Sequence, residues 1–113
     1  MNERVDRSII SGVSIPSGSF TTLATITVHS AGYYMIETNV AFAAGSGIRI
    51  LLVDSTETNS NTAVNSVLYE GRSTAQKIRS FYLTTANAVY IRAYQNTGAD
   101  MTVTGNYELF RMK

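Results

Sequence analysis

The chain has 113 residues, with nine Lys and Arg against eight Asp and Glu, one His, no Cys and a charged fraction of 15%, against about 25% in ordinary domains. That length supports one domain with its own core, and the missing cysteine excludes a disulfide framework, a thiolate metal site and a cysteine nucleophile. Basic residues scattered from Arg4 to Lys113 lack the clustered footprint of a nucleic-acid binder, and no apolar run approaches the ~20 residues of a membrane-spanning helix.

Residues 1–7 mix both charge signs and lead into no apolar stretch, so they read as a flexible N-terminal segment rather than a signal peptide, with 8–113 as the single domain. From there period-2 segments bounded by turn chemistry run to the end, and no stretch shows a capped helical pattern. Ser8 to Ile15 is the first strand, stopped by Pro16-Ser17-Gly18; Pro fixes φ and Gly permits the turn. Phe20 to His29 follows, then a turn at Ser30-Ala31-Gly32. Tyr33 to Phe42 alternates most clearly, with Tyr34, Ile36, Val40 and Phe42 opposed to Tyr33, Glu37 and Asn39.

Ala43 to Gly47 forms a hairpin loop of small residues. Beyond it Ile48, Ile50 and Leu52 alternate with Arg49, Leu51 and Val53, so that both faces of this strand look covered. The polar loop Asp54 to Thr62 has no apolar anchor, a composition of mobile or functional loops. Val64 to Glu70, Ala75 to Leu83, Ala88 to Gln95 and Met101 to Met112 complete about eight strands. Short strands joined by short turns predict an all-β sandwich or barrel.

Gly32-Tyr33-Tyr34-Met35-Ile36, Ile48 to Val53, Val89-Tyr90-Ile91-Arg92-Ala93-Tyr94 and the closing Thr102 to Phe110 resemble the corresponding strands of the C1q/TNF-like jelly-roll superfamily. About two-thirds of the chain is covered. Gly47-Ile48-Arg49, Ala93 to Gly98 and the short Ser11 to Gly18 segment are more similar to the head domains of phage and prophage fibres than to animal members. No collagen-like Gly-X-Y stalk precedes the head, and Asn87-Ala88 stands where Gly-Asp is usual, so no calcium cluster carries over.

The resemblance implies an all-β jelly-roll β-sandwich that works as a homotrimer on a virion fibre, attached to an upstream fibre or baseplate stalk. A bacterial cell or spore surface is the alternative location. Apolar residues on both faces of Ile48 to Val53 and Ala75 to Leu83 agree, since one face fills the core and the other wants a neighbour. The expected interface residues are Leu51, Val53, Phe81, Tyr33 and Tyr107.

Catalytic chemistry is not legible. His29 is the sole histidine, and a triad needs one held by an orienting acid; at a strand end it reads as solvated. Asp54, Glu57, Glu70, Asp100 and Glu108 are carboxylates that sequence spacing does not bring into pairs. No cofactor or metal is expected. Sugar binding needs a flat aromatic face with amides or carboxylates beside it. Two groups offer that: Tyr94, Gln95, Asn96 and Asp100 in one strand-turn-strand unit, and Tyr69, Glu70 and Arg72 in another. Both equally read as packed tyrosines with turn-building polar groups. The expected partner is a host cell-surface saccharide, with neither nucleic acid nor membrane insertion; the alternative is a ligand-free trimerisation or decoration knob.

Overall fold

The computed structural model describes residues 2–43, 47–54, 66–68 and 74–112, with the side chains of all but 2 and 66–68. Among them there is no helix. Eight strands run in chain order: β1 Asn2–Ile15, β2 Thr21–Thr27, β3 Gly32–Phe42, β4 Arg49–Asp54, β5 Ser66–Leu68, β6 Thr74–Leu83, β7 Ala88–Gln95 and β8 Met101–Met112. They form two four-stranded sheets, ordered β1-β8-β3-β6 and β2-β7-β4-β5, in which every pairing is antiparallel. A 12-residue strand at ~3.4 Å per residue spans ~40 Å, and β8 thereby accounts for the 43 Å long dimension.

The chain is an all-β sandwich whose core is the alternate residues of both sheets. Tyr34, Ile36, Val40 and Phe42 of β3, Val103, Tyr107 and Leu109 of β8, and Val89, Ile91 and Ala93 of β7 meet Ile10, Ile15, Ile26, Leu51 and Val53 in one cluster. The inner surface also takes Thr38, whose hydroxyl donates to the Asn106 carbonyl at 2.8 Å and so keeps no unmet polar group. Gly105 lets β8 approach β3 there: a Cβ would run into the carbonyl oxygen of Asn39.

Residues 2–7 do not form a separate segment. Asn2, Glu3, Arg4, Asp6 and Arg7 pair with Met112, Arg111, Phe110, Leu109 and Glu108 of β8, and Arg4 lies 3.7 Å from the Glu108 carboxylate. β1 is an edge strand with charged side chains, a common guard against edge-to-edge pairing; mixed charge therefore concealed it. On β4 the apolar residues of both faces are buried within the chain, since Ile50 and Leu52 lie outside the core cluster yet are scarcely exposed. Two-sided apolarity on this strand reflects internal burial, with no face left over.

Candidate functional site

The turn-rich end of the sandwich collects the first group of expected sugar-binding residues and commits one of them, Gln95, wholly to the fold. Gln95 ends β7 pointing inward and is fully buried. Its Nε2 donates to the carbonyls of Ile15 at 3.1 Å and Ala99 at 2.7 Å, while its Oε1 accepts from the Thr97 amide at 2.8 Å and the Thr97 hydroxyl at 2.7 Å. A primary amide has two donor hydrogens and two acceptor lone pairs, so none is left for a ligand. Gln95 is a clamp that joins the end of β1 to the β7–β8 turn, which corrects its assignment to a sugar site.

Asn96 is similarly engaged. Its Oδ1 accepts from the Ile48 backbone amide at 2.6 Å, and its backbone N–H donates to the Ile48 carbonyl at 3.2 Å. Gly47 makes that contact feasible, because at φ 101° it holds a backbone that other residues rarely adopt, and a Cβ there would strike the Asn96 side chain. Asp100 is exposed, beyond the turn. Tyr94 faces outward from β7, its ring 5.1 Å from that of Phe20 and tilted by 36°. Arg92 lies beside them, its guanidinium 5.9 Å from the Phe20 centroid and its Nε donating to the Thr22 hydroxyl at 3.1 Å. Of the four, only Gln95 is buried; Tyr94 is half-buried on the outer face, and Asn96 and Asp100 are exposed. Tyr69, Glu70 and Arg72 lie outside the described residues.

The five expected interface residues divide by the direction of their side chains. Leu51 and Val53, at 0% and 1% exposure, are core residues, so neither can meet another molecule while the sandwich is intact. Tyr107 faces the same core, and Phe81 packs against it half-buried beneath the Arg79 guanidinium, 4.6 Å from its ring centroid. Tyr33 alone of the five is on an open face.

That face is the outer surface of the β1-β8-β3-β6 sheet, built in rows by the register. Tyr33 is opposite Tyr82; Met35 lies between Phe110 and Ser80; Glu37 between Glu108 and Ile78; Asn39 between Asn106 and Gln76. Ile9, Tyr33, Ile78 and Tyr82 are exposed there by 77%, 62%, 52% and 57%. The surface thus runs from aromatic residues at one end, through carboxylates with Ile78 beside them, to amides with Ile9 beside them. The expected apolar surplus on β6 does exist, but on Ile78 and Tyr82 rather than on Phe81. The signal lay in the alternation Ile78, Ser80, Tyr82; what was missing was which parity faces inward.

Among the described residues, no three of His, Asp and Glu converge as a group able to hold a metal ion. Comparison of the chain with protein-family models, curated proteins and solved structures finds no match.

Proposed function

We propose that this chain is a non-catalytic jelly-roll head domain that assembles as a homotrimer through the outer face of its β1-β8-β3-β6 sheet, in the manner of a phage tail-fibre or baseplate head, and presents its other surfaces to host-cell saccharide. The observation that carries this reading is the exposed apolar end of that sheet. Large side chains at Tyr33 and Tyr82, with Met35 and Phe110 beside them and Ile78 in the next row, form a contiguous exposed apolar area of the kind that serves as an interaction surface. The connectivity supports the jelly-roll: every link between successive strands crosses from one sheet to the other except β4 to β5, as in a double Greek key.

Three copies would repeat any weak saccharide contact three times, and avidity would then supply the affinity. The Phe20–Tyr94 ring pair is the flat aromatic surface best suited to stack on a sugar. Light scattering of the purified protein tests assembly, with a mass about three times 12.3 kDa expected; a stable 12.3 kDa particle sinks the reading. Glycan-array binding by the assembled protein, lost in Tyr94→Ala, tests the saccharide part.

A second reading, a knob that registers or decorates a fibre and takes no ligand, is favoured by one observation. The amide of Gln95 and the side-chain oxygen of Asn96, which a sugar would have used, are committed to the fold. A trimer that binds no glycan at millimolar concentration would select it.

A further inference from the structure

The outer face of the β1-β8-β3-β6 sheet carries Arg4 and Arg7 on its β1 side, Glu108 on β8 and Glu37 on β3. Arg4 and Glu108 lie 3.7 Å apart and pair with one another, which leaves one cation and one anion over. Among the described residues, neither the Arg7 nor the Glu37 side chain takes part in an ion pair or hydrogen bond. Glu37 is half-buried, with Glu108 directly opposite on one side and Ile78 on the other, and like charges opposed across a ladder are unfavourable. The adjoining strand offers no counter-charge, because Lys77 and Arg79 of β6 stand opposite Thr38 and Ile36 and so belong to the inward set. Two strand spacings, ~10 Å, separate Arg7 from Glu37, and Glu108 stands between them.

The apolar residues repeat this asymmetry. Ile9 follows Arg7 by two residues, on the same side of β1, with 77% of its surface open; Ile78, beside Glu37, has 52% open. One side of the face thus presents a cation with an isoleucine, and the other side an anion with an isoleucine. In a cyclic assembly each copy meets its neighbours through two different patches, and two complementary patches on one chain suit a closed ring.

We propose that, in the assembly through this face on which the functional reading rests, Arg7 of one copy pairs with Glu37 of the next and Ile9 packs against the neighbour's Ile78. Arg7 and Ile9 succeed one another along a strand, ~7 Å apart, whereas Glu37 and Ile78 lie side by side on two strands. β1 therefore crosses the neighbour's β3 and β6 rather than running alongside them. The pairing supplies Glu37 with a counter-charge once the face is covered, where an unpaired carboxylate would oppose burial.

Light scattering of the intact protein across a dilution series tests the contact, with Arg7→Glu, Glu37→Arg and the two combined, and with thermal melting to report the fold of each. Either single reversal sets like charges against one another between copies and should weaken assembly at least roughly 100-fold. The combined reversal restores the pair in the opposite sense and should return the dissociation constant to within about tenfold of the parent value. Ile9→Ser, which leaves both charges in place, should weaken assembly roughly tenfold through its lost apolar contact. Should a reversal fail to fold, Arg7→Gln removes the cation alone and should weaken assembly roughly tenfold. A parent that stays monomeric at every concentration removes assembly itself, and this contact with it. A parent that assembles while the folded Arg7 and Glu37 variants assemble equally well, or a combined reversal no tighter than the single ones, overturns the contact and leaves assembly standing.

Discussion

Tyr33 and Tyr82 face each other across the β3–β6 ladder with ring centroids 5.0 Å apart and planes at 70°, an edge-to-face pair that stays more than half open to solvent. Aromatic pairs in this geometry gain about 0.5–1.5 kcal/mol beyond their burial, yet most of this apolar area still faces water. If copies of the chain cover it, Tyr82→Lys combined with Ile78→Asp should turn the assembled species into a 12.3 kDa monomer by light scattering, with the strand spectrum retained. Tyr33→Phe, which removes only a hydroxyl, should leave the mass unchanged. An assembly that survives the double charge substitution must use a different face.

Gln95 tests the distinction between a binding residue and a clamp. Its side chain makes four hydrogen bonds in a fully buried position, and truncation would leave the carbonyls of Ile15 and Ala99 without this partner. A stranded buried group such as the Ile15 carbonyl costs about 1–3 kcal/mol, whereas Ala99 is exposed and its carbonyl keeps the Thr97 hydroxyl at 3.3 Å, so Gln95→Ala should lose about 2 kcal/mol in urea unfolding. Gln95→Glu should lose at least as much, since a carboxylate cannot donate to either carbonyl. A loss below about 1 kcal/mol would mean that the turn repairs itself without the amide.

The limits of β7 and β8 were legible in the sequence to the residue, Ala88 to Gln95 and Met101 to Met112, because Asn87 and the Asn96–Asp100 turn interrupt clear alternation. Alternation divides a strand into two sets of side chains; it does not say which set is inside. On β6 the outer set is Ile78 and Tyr82, and on β4 both sets are buried, outcomes fixed by neighbouring strands that are distant in sequence. β1 was legible only from Ser8 because its first residues owe their strand conformation to β8 rather than to any apolar pattern of their own. The candidate sugar site was legible as a cluster, since Tyr94 to Asp100 are local. The inward aim of Gln95, which contacts Ile15 from 80 residues away, was not.

Gly105 sets the closeness of β8 to β3. A Cβ at this position would meet the Asn39 carbonyl oxygen and lie 3.0 Å from the Val40 Cα, both of them backbone, so no side-chain rotation can make room. Gly105→Ala must separate the two central strands of the sheet. It should reduce stability by about 2–4 kcal/mol, with amide-exchange protection lost first at Asn39 and Val40. An alanine variant as stable as the parent would show that the two strands tolerate a wider spacing.

The Tyr107 hydroxyl donates to the Asp6 carboxylate at 3.4 Å, and burial raises its pKa above the ordinary tyrosine value. The Asp6 charge and its hydrogen bond raise it further, while a hydrogen bond with Ser8 works the other way. Tyrosine is neutral when protonated, so a raised folded-state value means that the folded chain holds this proton more tightly than the unfolded chain. Stability from this source is complete below the unfolded value near ~10 and is lost as pH rises through the folded value. The difference in Tm between the parent and Tyr107→Phe should therefore be constant at neutral pH and should shift against the parent above about pH 10. Asp6→Asn should make that alkaline shift smaller by removing the neighbouring negative charge. A difference between parent and Tyr107→Phe that stays the same from neutral to strongly alkaline pH would show that this hydroxyl titrates alike in the folded and unfolded chains.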